Sequence, residues 1–266
     1  MLAAQKQTPG DAECVYHRPE ALVDRPMHYC PGCTHGIIHQ LVGHMIDEFG
    51  LLDRTVGVVP VGCAVLAYEY FNFDSIEASH GRAPAVATAV KRLDPARFVF
   101  TYQGDGDLAS IGIGETIHTA ARGERITIVF VNNGIYGMTG GQMAPTSLVG
   151  QRTTTSPHGR DESLTGAPIG ICELLSTLPG VAFAARVPLS SPKGVNQAKK
   201  YLRKAFRAQL EDRGLGIVEF LSTCPVQWHM TPIAAMRRID EEVVKTFKPG
   251  VFVDHVDEAP PKGTES

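Results

Sequence analysis

The sequence predicts an α/β protein built on a doubly wound, mainly parallel sheet. Three observations predict it. Short apolar runs of strand length recur along the chain, segments with helical spacing lie between them, and small polar groups follow directly after two of the runs. In such a sheet, ligands sit beyond the carboxyl ends of the strands.

Taken in order, Ile37, Ile38, Leu41, Val42, Met45, Ile46 and Phe49 recur at helical spacing and predict an amphipathic helix. TVGVVPVGC (55–63) reads as a buried strand running into a turn. Residues 83–93 suit a small-residue helix, and RFVFTY (97–102) is a second strand. Residues 108–122 are expected to be helical, and ITIVFV (126–131) is a third strand. VAFAARV (181–187), a helix around 195–211 and GIVEFL (216–221) continue the alternation. One domain, 26–247, is expected, with an N-terminal extension (1–25) and a C-terminal tail (248–266). Both ends are polar or rich in proline and are expected to be poorly packed.

The chain has 266 residues, 43% of them hydrophobic and 20% charged, with a formal charge of −3. That is the composition of an ordinary globular protein, and it makes no electrostatic case for nucleic acid or a membrane surface. No apolar run is long enough to span a bilayer, and the first residues lack the apolar stretch of a secretory signal. A cytoplasmic protein is expected. In a reducing compartment the six cysteines are then expected to be free, metal-bound or redox-active.

The stretch 103–142, QGDGDLASIGIGETIHTAARGERITIVFVNNGIYGMTGGQ, carries the most information. Gly104-Asp105-Gly106 follows one strand and Asn132-Asn133 the next, with Asp105 and Asn133 28 positions apart. A βαβ crossover brings both groups to one sheet edge. Magnesium takes oxygen ligands in octahedral geometry, and Asp105 and Asn133 supply a carboxylate and an amide oxygen. The glycines let the backbone approach a diphosphate, and a helix starting near Leu108 turns free N–H groups towards it. Each motif taken singly reads equally as a turn. A dinucleotide fold lacks its G-x-G-x-x-G.

From about Tyr29 to Trp228 the chain resembles the β subunits of 2-oxoacid:ferredoxin oxidoreductases. The resemblance is carried by GDGDLASIG, by NNGIYGMTGGQMAPTS and by the cysteine pattern CPGC (30–33), GC (62–63) and CP (224–225). It implies a thiamine-diphosphate-binding domain with magnesium held by Asp105, Asn133 and the Ile135 carbonyl. It implies diphosphate contacts from Gly106, Asp107, Gly137 and Met138, and further cofactor contacts from Val61, Gly62, Cys63, Ala64 and His80.

The family's [4Fe–4S] cluster would fall on Cys30, Cys33, Cys63 and Cys224. By residue chemistry alone four thiolates suit zinc equally well. Cys14 and Cys172 are expected to be ordinary thiols. Thr34 stands where glycine is usual and is expected to cap the helix or to bond a cluster sulfur.

The activity implied is oxidative decarboxylation of a 2-oxoacid to an acyl-coenzyme A, with electrons leaving singly through the cluster to ferredoxin. The local wording suits 2-oxoglutarate or a branched-chain 2-oxoacid, with 2-oxoglutarate favoured. Arg82, Lys91, Arg152 and Arg160 are candidates for its second carboxylate. His80 and Arg82, in an HGR motif, are candidate catalytic residues. Glu69, Glu77 and Glu115 have no pyrimidine-domain context, so the activating glutamate is expected from a separate α subunit. Further ferredoxin-like or γ subunits would fit the same assembly. His35 and His39 are assigned to a solvated helix face, Trp228 and Tyr136 to packing, and 146–160 to a loop over the active site or the α interface. The alternatives are a non-redox thiamine-dependent decarboxylase or synthase subunit, and a non-catalytic zinc-binding partner protein.

Overall fold

The computed structural model describes residues 16–258, so Cys14 lies outside the described residues. Seven strands form one sheet: β1 (Thr55–Val59), β2 (Asp74–Glu77), β3 (Phe98–Gly104), β4 (Thr127–Asn132), β5 (Val181–Pro188), β6 (Leu215–Leu221) and β7 (Gly250–Asp254). Their spatial order is β2-β1-β3-β4-β6-β5-β7. All neighbours pair in parallel except β5 and β7. The doubly wound sheet follows from strands that are apolar on both faces.

The helices are α1 (His35–Glu48), α2 (Ala83–Leu93), α3 (Ile113–Ala121), α4 (Glu162–Thr165), α5 (Ile171–Leu175), α6 (Pro192–Leu210), α7 (Pro232–Arg238) and α8 (Val244–Thr246). Because side chains alternate along a strand, β3 sends Phe98, Phe100 and Tyr102 to one face and Val99 to the other. The first face packs under α1 and α6 through Ile38, Val42, Met45, Leu202 and Phe206. The second packs under α2, α3 and α5 through Ala83, Ala87, Ala120, Ile171 and Leu175. Each large side chain buried this way contributes roughly 1.5–3 kcal/mol.

Several elements depart from the sequence reading. β1 ends at Val59, and Gly62, at φ +107°, turns the chain into a 3₁₀ segment at Cys63–Glu69. The helix expected over 108–122 is divided. A π-helical turn at Asp107–Ile111 gives way at Gly112 to α3, and Gly112 lies so near the Gly81 backbone that a Cβ there would come within 2.5 Å of the Gly81 carbonyl oxygen. The expected C-terminal tail is in part a strand: β7 pairs with β5 and buries Val253, and Val256 is buried after it. The described end of the N-terminal extension is also docked, with Ala21 and Leu22 in the core and Leu22 bridged to Phe71. In both cases a few apolar residues find a groove that local composition does not announce.

α1 carries its histidines inward. His35 and His39 are 2% and 0% exposed, which corrects their assignment to a solvated face. His35 Nδ1 bonds the Tyr102 hydroxyl at 2.6 Å, and His39 stacks on Phe71. Burial drives His35 down to about 4 and His39 well below the ordinary histidine value, so both rings stay neutral.

Candidate active site

The parallel register carries Gly104 of β3 beside Val131 of β4, and Asn132 beside Leu221 of β6. Asp105 and Asn133 therefore leave the sheet at one edge. The Asp105 carboxylate is buried and held on both oxygens. Oδ1 accepts the Gly106 N–H at 2.8 Å, and Oδ2 accepts the Gly134 N–H at 2.6 Å and the Thr146 hydroxyl at 2.7 Å. Burial pushes its pKa up to about 6, against the pull of these hydrogen bonds. Asn133 Oδ1 accepts the Ile135 N–H at 3.1 Å, and the Asn133 carbonyl accepts the Trp228 indole N–H at 3.1 Å. The buried Ile135 carbonyl accepts no hydrogen bond among the described residues. A carboxylate, an amide oxygen and a spare carbonyl oxygen form a donor set that suits a small divalent cation.

These residues open onto one cleft. Val61, Gly62, Cys63, Ala64, His80, Asp105, Gly106, Asp107, Asn133, Ile135, Gly137 and Met138 all line it, as do His35, Gly104, Tyr136 and Thr139. The Tyr136 ring lies over Gly106, where a Cβ would come within 2.2 Å of it, and its hydroxyl donates to the Gly106 carbonyl at 3.1 Å. The absence of a side chain at Gly106 is thus a condition of the cleft's shape. Across it, Asp107 Oδ1 takes both His80 Nδ1 and the Gly81 N–H at 2.5 Å, and Gln103 Nε2 donates to Asp107 Oδ2 at 2.7 Å. Asp107 thereby fixes the His80 ring at the cleft wall and leaves Nε2 without a partner among the described residues.

The four cysteines approach the cleft from three chain segments. The CPGC turn is closed by the Cys33 N–H donating to the Cys30 carbonyl, and Gly32, at φ +80°, lies against Pro232 at the start of α7. The Thr34 side chain does not cap α1. Its buried hydroxyl bonds Ser222 at 2.5 Å, while Thr223 donates to the Gly32 carbonyl at 2.6 Å, so the turn is tied to the exit of β6. A Cβ at Gly137 would lie 3.4 Å from Cys224 Sγ and 3.6 Å from Cys63 Sγ. Burial, reinforced by the neighbouring cysteines, pushes Cys33 up to about 11 and Cys224 up to about 12, and raises Cys63. Cys63 and Cys224 thus both lie against Gly137, with Cys33 close enough to raise Cys224 further. Among the described residues, no three His, Cys, Asp or Glu side chains are gathered tightly enough to hold an ion as they stand. Cys172 is remote from this group and fully buried.

Other candidates lie elsewhere. Arg82 pairs with Glu115 and does not line the cleft. Glu69 pairs with Arg25, Glu77 ends the exposed edge strand β2, and none of the three glutamates reaches the cleft. The segment 146–160 packs against Asp105 and Gly134. Thr146 bonds Asp105, Gln151 Nε2 donates to the Gly134 carbonyl at 2.8 Å, and the buried Arg160 donates to backbone carbonyls from Ala144 to Ala167. Sequence reasoning missed Thr146, Gln151 and the inward role of His35. Only the His35/His39 one-turn spacing gave a signal, since hydroxyl and amide residues in a polar loop look alike in sequence.

Residues 60–220 match the family of thiamine pyrophosphate enzymes at its C-terminal TPP binding domain, which sets the class of protein that this sheet edge and cleft define. Over 253 residues the chain is 45% identical to the ketoisovalerate oxidoreductase subunit VorA of Methanothermobacter marburgensis, covering 95% of this chain and 53% of that protein. It is 33% identical over 226 residues to the 2-oxoglutarate synthase subunit KorB of Archaeoglobus fulgidus, covering 85% of this chain and 79% of that one. Among solved structures, the 2-oxoglutarate:ferredoxin oxidoreductase of Magnetococcus marinus, with 2-oxoglutarate, coenzyme A and succinyl-CoA bound, superposes with a TM-score of 0.70 at 25% identity. The match covers 90% of this chain and 87% of that one. The chain belongs to the 2-oxoacid:ferredoxin oxidoreductase subunits, in their thiamine-pyrophosphate-binding branch. It spans about half the length of VorA. No helix among the described residues is long and apolar enough to cross a membrane.

Proposed function

We propose that this chain is the cofactor-carrying subunit of an enzyme that oxidatively decarboxylates a 2-oxoacid to an acyl-coenzyme A and delivers the electrons to ferredoxin. The observation that carries the reading is the meeting of Asp105, Asn133 and the unengaged Ile135 carbonyl at one sheet edge, with the Cys63 and Cys224 thiols against Gly137 beside it. Asp105, Asn133 and Ile135 would hold magnesium, and Gly106, Asp107, Gly137 and Met138 the diphosphate. Val61 to Ala64 and His80 would line the rest of the cofactor. Cys30, Cys33, Cys63 and Cys224 would hold a [4Fe–4S] cluster.

When bound, thiamine diphosphate supplies the electron sink for loss of carbon dioxide from a 2-oxoacid. This chain's own residues do the positioning. Asp105 brings the negative charge that a cation needs. The Gly106–Tyr136 contact shapes the floor of the cleft, and Asp107 holds His80 with Nε2 free to donate or accept a proton at its wall. No glutamate of the chain lines the cleft among the described residues, which supports an activating carboxylate from an α subunit.

The substrate tail has two readings. Among the described residues the cleft is lined by no lysine or arginine. Arg160 is consumed by backbone carbonyls, Arg82 by Glu115, and Lys91 by the Pro95 and Arg97 carbonyls just before β3, away from the cleft. That wall, together with the 45% identity to a subunit named for ketoisovalerate, supports a branched-chain 2-oxoacid. The 2-oxoglutarate reading needs a cation from another subunit or from Arg152.

Anaerobic purification with co-expressed subunits tests the proposal. A band near ~400 nm bleached by dithionite, with about four irons and four sulfides per chain, is expected. So is coenzyme A-dependent reduction of ferredoxin with 2-oxoisovalerate in preference to 2-oxoglutarate. Zinc in place of iron would return the chain to a non-redox or non-catalytic role.

A further inference from the structure

Glu219 lies in the middle of β6 with no exposed surface, and its carboxylate is held from several sides. The Arg186 Nε–H, on the neighbouring β5 and equally buried, donates to Oε2 at 2.8 Å, and Asn132 Nδ2 donates to Oε1 at 2.7 Å. The Cys172 thiol lies against the same carboxylate and is kept protonated by burial and by that charge. Arg186 is anchored in turn by Glu173 and the Lys248 carbonyl, with the rings of Phe247 and Phe252 within 5.2 Å. Burying such a pair carries a desolvation cost, and apolar residues of equal volume often do as well. Stability alone is a weak account of its presence.

Asn132 links the pair to the metal loop. While Nδ2 faces Glu219, Asn132 Oδ1 accepts the Gly134 N–H at 3.2 Å, and that same N–H donates to Asp105 Oδ2 at 2.6 Å. A carboxylate can only accept, so Glu219 dictates which end of the Asn132 amide faces Gly134. We propose that Glu219, paired with Arg186, is a positioning residue for the metal loop. It locks Asn132 so that the Gly134 N–H is aimed at Asp105, and Asn133 and Ile135 are presented together. The inference rests on the reading of Asp105, Asn133 and Ile135 as magnesium ligands. It adds a connection running from β5 through β6 to β4 beneath that site.

The test compares Glu219→Gln and the double variant Arg186→Met/Glu219→Leu with the wild type, each purified with its accompanying subunits and stripped of cofactor. A glutamine offers one acceptor where two donors wait. The double variant refills the core with apolar atoms but leaves Asn132 unoriented. Mn²⁺ affinity in the presence of thiamine diphosphate, read by electron paramagnetic resonance, is expected to fall about tenfold or more in both. The double variant is expected to keep an unfolding midpoint near the wild type's. In the cofactor-free proteins, amide exchange across 132–137 is expected to quicken while β5 is unchanged. Wild-type Mn²⁺ affinity in a folded double variant, or unchanged exchange at 132–137 in Glu219→Gln, overturns the inference. A wild type that binds thiamine diphosphate without any Mn²⁺ overturns the magnesium reading itself, and the inference with it.

Discussion

The Thr146 hydroxyl donates to Asp105 Oδ2 at 2.7 Å, both residues being buried and 41 positions apart. A hydrogen bond to a charged group contributes about 1.5–3 kcal/mol. Thr146→Val keeps the volume and removes the donor, so magnesium-dependent binding of thiamine diphosphate should weaken about tenfold or more by calorimetric titration. Thr146→Ser should stay near wild type. Equal binding by both variants would remove Thr146 from the site.

Gly106 tolerates no side chain while Tyr136 stands over it. Gly106→Ala should destabilise by about 1–3 kcal/mol through overpacking and weaken thiamine diphosphate binding. Adding Tyr136→Ala should restore the unfolding midpoint, because the clash is with that ring. Urea unfolding of the single and double variants checks it.

Acid should destabilise the protein through α1. A buried neutral histidine binds fewer protons folded than unfolded, so its stability is fully present above pH 6.5 and is lost as pH falls towards the folded value. For His35 that window runs from 6.5 to about 4 and is worth about 3 kcal/mol. His39 adds in the same direction, with its Nδ1 buried and unpartnered. His39→Phe should flatten the urea midpoint between pH 7 and pH 4.5. An unchanged slope would place the acid sensitivity elsewhere.

Replacing Cys30, Cys33, Cys63 or Cys224 by alanine should remove iron, sulfide and visible absorbance from the anaerobically purified protein. Cys172→Ala should keep them, since that thiol is buried beside Glu219. Iron loss in Cys172→Ala alone would redraw the ligand set.

The parts legible in the sequence were those governed by local pattern. Short apolar runs gave β3, β4, β5 and β6 to within a residue or two, and GDG and NN after consecutive strands predicted the shared edge that holds Asp105 and Asn133. β2 and β7 were not read, because DSIE is exposed and scarcely apolar, and GVFVD becomes a strand only through β5. The inward turn of His35 and His39 was equally hidden. A helix face is polar or buried according to what packs on it, and here Tyr102 and Phe71 do.

By itself, then, the sequence determined the parallel sheet, the strand ends that carry Asp105 and Asn133, and the four cysteines of the family pattern. Spacing and chemical type along one chain suffice for each. Only the tertiary structure decided that Thr146 bonds Asp105, that Gly106 lies under Tyr136, and that Arg186 is linked through Glu219 and Asn132 to the Gly134 N–H. The long-range contacts among these join residues 30 to 87 positions apart along the chain. The strand register and the packing of buried polar groups that must find partners set them, and neither leaves a periodic trace in sequence.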